Sequence, residues 1–165
     1  MGETIKNGES PTLKHLRQLE ATGEYLFHGS LNPIDVIEPR QPFSDHKPDG
    51  GPSVCAATDL DTALFMALFR GAQNIVKVPS RSGYRHTGNE NYFYATAPLL
   101  QAVVGATAYV HVLPRTGFRL YRGNEMRSAS PVTPTEIVPV TIRDFDHPVH
   151  EVPLEETQAT KISHS

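Results

Sequence analysis

Fourteen prolines and twelve glycines interrupt the chain at short intervals. Proline cannot donate a backbone hydrogen bond and breaks the interior of a helix, and glycine favours turns. The interruption is strongest between residues 31 and 52, where five prolines exclude a long regular element (Pro33, Pro39, Pro42, Pro48 and Pro52). The chain is therefore expected to fold from many short elements. The 31–52 segment is expected to form a long loop, which in a compact domain is usually functional or mobile.

The size and charge of the chain restrict its class. Its 165 residues, 38% of them hydrophobic, are enough for one domain with a real core. A formal net charge of −3 argues against non-specific nucleic-acid binding, which needs a basic surface, but is compatible with a local basic groove. A single cysteine excludes an intrachain disulfide. Because no secretory signal and no apolar run of about 20 residues is visible, we expect a soluble cytoplasmic protein with no membrane partner.

The spacing of apolar residues predicts a single α+β domain over residues 1–150, followed by a disordered tail over 151–165. Ser10 and Pro11 form a start signal for the first helix. Helices are predicted at 12–21 and 58–71, short strands at 25–27, 53–57, 73–78, 92–95, 106–113, 118–121 and 136–142, and a loop at 79–91. Pro139 places the last strand at a sheet edge or a bulge. This order is typical of a mostly antiparallel sheet system.

The stretch YLFHGS, residues 25–30, is the first candidate functional feature. Its apolar start predicts a buried strand that ends on a histidine, a glycine and a hydroxyl. Gly29 allows the backbone to bend or to approach a ligand closely, because it has no Cβ. At a strand end His28 would face a cleft. The alternative is a structural histidine followed by a plain turn.

Two further segments join this stretch in a resemblance to a known family. Residues 27–30 (FHGS), 50–58 (GGPSVCAAT) and a following helix containing Ala63 resemble the first two motifs of ADP-ribosyltransferases of the diphtheria-toxin and poly(ADP-ribose) polymerase type. That clade includes the rifampin-modifying transferases. Residues 124–126 (NEM) lie where its third motif, a late glutamate, would fall. The resemblance covers residues 25–142 and implies a compact α+β fold with a split, mostly antiparallel β-sheet or sandwich.

The resemblance also implies a site that takes NAD as substrate and requires no metal. His28 would hydrogen-bond a ribose hydroxyl of the adenosine half, the Gly29 backbone would hold the nicotinamide carboxamide, and Ser30 would line the pocket. Glu125 would bind the nicotinamide-ribose hydroxyls and stabilise the cation that develops as the glycosidic C–N bond breaks. ADP-ribose would then pass to an unknown acceptor, which is a protein, a nucleic acid or a small molecule.

The chain departs from the family pattern at the second motif. The tyrosine that stacks on nicotinamide falls near Val54 or Cys55, and neither is aromatic. The stacking surface would then come from another segment that contains Tyr84, Tyr92, Phe93 and Tyr94. We take Cys55 and Tyr94 as candidate NAD contacts, together with Arg40 on the long loop.

Two other assignments stay open. Glu136 competes with Glu125 for the role of the late acid. The cluster Asp144, Asp146, His147 and His150 suggests a metal site, but it lacks fixed ligand spacing, so a solvated tail is the favoured interpretation.

Three functional hypotheses follow. The first is an ADP-ribosyltransferase. The second is a catalytically degenerate module of the same fold that binds NAD, ADP-ribose or a protein, and the missing tyrosine favours it. The third is an enzyme similar to RNA 2′-phosphotransferases, which needs basic residues and a second histidine near the pocket. His86 and an arginine cluster make it possible (Arg115, Arg119, Arg122 and Arg127), and the negative net charge opposes it.

Overall fold

The computed structural model describes residues 10–44, 46–87 and 90–154. Its α-helices are α1 (Pro11–Thr22), α2 (Leu60–Phe65), α3 (Gly71–Gln73) and α4 (Ala97–Ala102). Its strands are β1 (Tyr25–Ser30), β2 (Phe43–Ser44), β3 (Lys47–Pro48), β4 (Val54–Ala57), β5 (Ser82–Thr87), β6 (Glu90–Ala95), β7 (Ala108–Pro114), β8 (Arg119–Arg122), β9 (Glu125–Ser128), β10 (Glu136–Val140) and β11 (Val149–Glu151). A π-helical turn, Met66–Arg70, joins α2 to α3, and 3₁₀ turns lie at Val103–Gly105 and Ile142–Asp144.

Three sheets organise these strands. The largest has six strands in the order β10–β7–β1–β4–β9–β8, and all of its neighbours are antiparallel. A second sheet has the order β11–β6–β5, in which β11 is parallel to β6, and β2 pairs with β3 in a short hairpin. The prediction of an α+β class with mostly antiparallel sheets is confirmed.

The six-stranded sheet is covered by apolar residues on both faces. On one face α2 and the π-helical turn pack on β1 and β7, and Phe65 stacks at 4.9 Å from both Phe69 and Phe93. On the other face a smaller cluster includes Leu26, Ile37, Val54, Ala56, Leu113, Met126 and Val132. Ile37 belongs to the long loop and is tied to Val132 by two backbone hydrogen bonds of 2.8 and 2.9 Å. The loop therefore contributes to the core.

The first helix and the last predicted strand agree with their local signals. Ser10 accepts a hydrogen bond from the Leu13 N–H at 3.0 Å, and Pro11 occupies the first turn of α1. Pro139 lies in β10, which pairs with β7 alone and forms one edge of the large sheet. A missing N–H is tolerated at such an edge.

The predictions for 73–78 and 79–91 were wrong. Gln73 ends α3, residues 74–78 follow it as a turn and irregular backbone, and Ile75 and Val78 are exposed to 59% and 52%. The polar segment Ser82–Thr87 is instead a strand, because it pairs along its whole length with β6. Tyr84 on this strand packs against the aromatic core. The pairing joins two consecutive strands, from Thr87 with Glu90 to Ser82 with Ala95, and the polar composition of the segment hid it.

The end of the domain is more ordered than its composition suggests. Val149–Glu151 form β11, and the Val152 N–H donates to the Ala95 carbonyl at 3.1 Å, so residues at the start of the predicted 151–165 tail are tied to the sheet. The remainder of that tail, 155–165, lies outside the described residues. Within the described part of the chain, the helices are too short and too polar to cross a membrane.

Candidate functional site

Two adjoining clefts lie beside β1 and β4. The first cleft has a volume of about 570 Å³ and is lined by residues that include His28, Gly29, Cys55, Tyr84, Glu125 and Arg127. The second cleft has a volume of about 330 Å³ and is lined by residues that include Ser30 and Arg40. His28, Cys55 and Pro42 line both clefts, which therefore adjoin each other at these residues.

The His28 stretch lies inside a strand and not at its end. β1 continues through Ser30, and His28 is aligned with His111 of β7. The plain turn proposed as an alternative is therefore wrong. On its other side, β1 is aligned with β4 at a single pair, Phe27 with Ala57. Beyond that pair the His28 ring bridges the two strands, because its Nδ1 lies 2.7 Å from the Cys55 carbonyl oxygen.

The bond to Cys55 sets the protonation of the His28 ring. A carbonyl oxygen can only accept, so Nδ1 donates its proton. Burial lowers the pKa of His28, with the Cys55 hydrogen bond opposing it, and the ring is neutral at pH 7. In the neutral ring Nε2 carries a lone pair, so His28 offers an acceptor to a ligand hydroxyl.

His111 is a second histidine that positions the first. It is fully buried in β7, and its ring meets the His28 ring edge-on with centroids 5.7 Å apart. Its Nδ1 donates to the His28 carbonyl at 3.1 Å, and its Nε2 accepts from the Ile34 N–H at 2.9 Å. His111 thereby joins β1 to the start of the long loop. Its sequence signal is a polar residue within the apolar strand 106–113.

Glu125 reaches the first cleft because β9 lies beside β4. Ala57 is aligned with Glu125, and Cys55 with Arg127. Arg127 Nε donates to Glu125 Oε2 at 2.7 Å. The carboxylate is therefore held by a cation. Sequence reasoning placed Arg127 in a general basic cluster and missed this contact, since it depends on the two-residue period of β9.

A buried polar network anchors the residue before Glu125. The Asn124 side chain donates to Asp59 and, at 2.9 Å, to Thr62 Oγ1. The Asn124 backbone carbonyl accepts a hydrogen bond from the Thr58 N–H at 3.0 Å. Asp59 is also the N-cap of α2, so the start of this helix and the start of β9 are fixed to each other. This network therefore fixes the backbone next to Glu125 against the start of α2.

The other predicted site residues are divided among different places. Ser30 and Arg40 line the second cleft, and Tyr84 and His86 line the first. Among the residues that the structure describes, Tyr94 lines neither cleft, and its hydroxyl lies over Gly83 on the small sheet. Tyr84 is therefore the aromatic candidate beside Glu125.

The second acid candidate lies far from the clefts. Glu136 begins β10, which three strands separate from β9, and pairs with His15 at 2.9 Å on the surface. Asp144 accepts from the Thr141 N–H at 2.8 Å, and Asp146 pairs with Arg17 at 3.2 Å. Within residues 10–44, 46–87 and 90–154, no three His, Cys, Asp or Glu side chains are grouped as metal ligands.

The Cys55 thiol is expected to be unreactive. Burial raises its pKa to about 11 from the ordinary 9.0; Arg127 opposes this shift, and the Glu125 charge and hydrogen bond add to it. At pH 8 the thiolate fraction should therefore be about one hundredth of that in the unfolded chain. The rate of alkylation by iodoacetamide, followed by mass spectrometry, should fall by a similar factor between unfolded and folded protein.

The Glu125→Gln variant provides the control for this measurement. Removal of the carboxylate charge lowers the pKa of Cys55, so alkylation in the folded variant should be faster than in the wild type. Equal rates in the two folded proteins would show that the thiol and the carboxylate do not interact. Because the chain has one cysteine, the modified site is unambiguous.

Comparison with known proteins identified no similar protein. No protein-family model, no curated protein and no solved structure matches the chain. The roles of the cleft residues are therefore argued from their geometry and from the sequence motifs alone.

Proposed function

We propose that this chain is an ADP-ribosyltransferase-like enzyme that cleaves the nicotinamide–ribose bond of NAD and transfers ADP-ribose to an acceptor. The observation that carries the proposal is that His28 and Glu125, which lie on different strands, line one cleft. The α+β class with mostly antiparallel sheets is compatible with the split sheet of that fold. We also propose that the protein acts in the cytoplasm.

The two adjoining clefts suit a ligand with two halves. The volumes of about 570 and 330 Å³ fall in the range of small-molecule sites. We assign the nicotinamide ribose to the first cleft and the adenosine to the second, where Ser30 and Arg40 lie. His28, at the junction, would accept a hydrogen bond from an adenosine ribose hydroxyl through Nε2.

The chemistry requires a negative charge near the ribose of the leaving nicotinamide. Departure of nicotinamide builds positive charge on that ribose, and a carboxylate held in place before the reaction stabilises it without reorganisation. Glu125 supplies the carboxylate, and Arg127 fixes its direction. Tyr84 would stack on the nicotinamide ring in place of the missing second-motif tyrosine. Burial raises the pKa of Tyr84, so it remains a neutral phenol.

One observation favours a module that binds the nucleotide without cleaving it. The Glu125 carboxylate already accepts a hydrogen bond from Arg127. This donor reduces the charge that the carboxylate offers to a cation. The family that the chain resembles has a tyrosine that falls near Val54 or Cys55, and neither residue is aromatic. Measurement of turnover separates this candidate from the enzyme.

The test is NAD binding by calorimetry together with nicotinamide release by chromatography. The wild type should do both, and His28→Ala should weaken NAD binding about tenfold because a buried acceptor for the ribose is lost. His150→Ala is the matched control, since His150 is exposed on β11 and lies outside both clefts. Binding without nicotinamide release would support the degenerate module, and a wild type that does neither would refute the proposal.

A further inference from the structure

The long loop places a carboxylate beside the candidate acid. After the β2–β3 hairpin, Asp49 turns into the first cleft, whose lining it shares with Glu125. Asp49 Oδ1 accepts a hydrogen bond of 2.7 Å from the Tyr121 hydroxyl. Its Oδ2 is paired with Arg127 at 3.3 Å and with Arg122. The Asp49 carboxylate thus contacts one hydroxyl and two guanidinium groups.

This set of donors is suited to a phosphate group. Arginine binds phosphate and carboxylate oxygens with the same planar arrangement of N–H donors, and such charge-assisted bonds are among the strongest in proteins. The Tyr121 ring lies against both guanidinium groups, with Arg127 at 3.5 Å and Arg122 at 4.8 Å from its centroid. Arg122 is 60% exposed and Arg127 9%, so the donors extend from the surface into the cleft.

We propose that Tyr121, Arg122 and Arg127 form an anion subsite for a phosphate group of the nucleotide substrate, and that Asp49 occupies this subsite as an internal competitor. The proposal rests on the proposed function for the identity of the ligand. It adds that the long loop must withdraw Asp49 before the nucleotide is fully bound. The diphosphate of a dinucleotide as a whole carries more negative charge than Asp49 and has more acceptor oxygens, so it replaces the carboxylate favourably.

Arg127 couples the subsite to the candidate acid. Its Nε donates to Glu125 at 2.7 Å, its Nη1 donates to the Asp49 backbone carbonyl, and its Nη2 donates to Asp49 Oδ2 at 3.3 Å. A phosphate group bound in place of Asp49 would therefore be fixed relative to Glu125 by a single rigid guanidinium. This arrangement directs the diphosphate of a dinucleotide next to the acid that acts on its ribose.

The backbone of the loop is built for this close approach. Gly50 has a φ of 80°, which favours glycine, and a Cβ there would lie 2.7 Å from Arg127 Nη1. The hydrogen bond from Tyr121, followed by Arg122 and Arg127, lowers the pKa of Asp49. Asp49 is therefore charged at neutral pH and competes as an anion. The alternative is that Asp49 only fixes the loop to Arg122 and Arg127 and has no role in ligand binding. The experiment must distinguish these two roles.

The experiment titrates inorganic pyrophosphate, and separately ADP, into the full chain by calorimetry. Asp49→Asn and Asp49→Ala should both bind about tenfold tighter than the wild type, since the competitor no longer limits the fraction of open sites. In the Asp49→Asn background, Arg122→Gln should weaken pyrophosphate and ADP binding about tenfold. Asp35→Asn is the matched control, because Asp35 is an exposed acid on the same loop outside both clefts, and it should bind as the wild type does.

The outcomes are distinct from those of the NAD cleavage test. Pyrophosphate affinity that is equal in Asp49→Asn, Asp49→Ala and Asp35→Asn would overturn the subsite and leave Asp49 with only the role of fixing the loop. The proposal would also be overturned if Arg122→Gln left the pyrophosphate affinity of the Asp49→Asn protein unchanged. Thermal unfolding of each variant identifies any loss of folding, and the near-isosteric Asp49→Asn decides the result if Asp49→Ala unfolds. Pyrophosphate binding requires no cleavage of NAD, so the subsite can hold even where the proposed reaction fails.

Discussion

Glu125→Gln is expected to lower the rate of nicotinamide release from NAD by about a hundredfold to a thousandfold, the effect typical of removing one preorganised electrostatic group. Glutamine preserves the size of the side chain, and its amide oxygen can still accept from Arg127 Nε, which lies 2.7 Å from the carboxylate in the wild type. The negative charge alone is lost. Because that charge acts on the developing cation, kcat should fall while calorimetric NAD affinity changes little.

Glu136→Gln is the matched control for this prediction. It makes the same chemical change on β10, where Glu136 pairs with His15 on the surface. Its rate should stay within about twofold of the wild type, as expected for an exposed ion pair. A Glu125→Gln protein that releases nicotinamide at the wild-type rate would show that Glu125 is not the acid of the reaction.

Gly29→Ala is expected to destabilise the fold by about 3 kcal/mol or more, at the upper end of the range for overpacked cores. A Cβ at this position would lie 2.6 Å from the Ala67 backbone nitrogen and 2.9 Å from the Ala67 Cβ, and closer still to the Ala63 carbonyl oxygen. These atoms belong to α2 and the π-helical turn. Helix backbone cannot move aside as a flexible side chain would, so the helix and β1 must separate.

Denaturant unfolding followed by circular dichroism measures this effect. Gly51→Ala is the control, because a Cβ at Gly51 meets nothing within 4 Å. Its free energy of unfolding should stay within about 0.5 kcal/mol of the wild type. A Gly29→Ala protein as stable as Gly51→Ala would contradict the close packing of β1 on the helix. The sequence suggested that Gly29 serves a turn or a ligand, and the structure adds this packing requirement.

Local signals account for the elements that were predicted correctly. The Ser10-Pro11 start of α1 and the edge position of β10 with Pro139 each depend on a few neighbouring residues. The parallel strand Val149–Glu151 has no such signal, and the polar composition of Ser82–Thr87 hid its pairing with the next strand. They exist because β6 lies between them and pairs with both.

The same division applies to the candidate site. His28 and Glu125 were selected from motifs, and both line the first cleft. Tyr84 and not Tyr94 lines that cleft, and β5, the strand that carries it, was not predicted. The contacts of Asp49 and Arg127 join positions 78 residues apart. Such contacts depend on the path of the long loop, for which the prolines predicted only irregularity.

By itself the sequence determined the α+β class, the abundance of short elements and the pair of residues from which the functional proposal starts. These follow from local composition and from motifs read along the chain. Only the tertiary structure decided which face each side chain occupies, which acid lines the first cleft together with His28 and which anion contacts Arg122 and Arg127. Side chains alternate along a strand, so a register shift of one residue would turn Cys55, Glu125 and Arg127 to the opposite face. That register is set by the packing of the whole sheet.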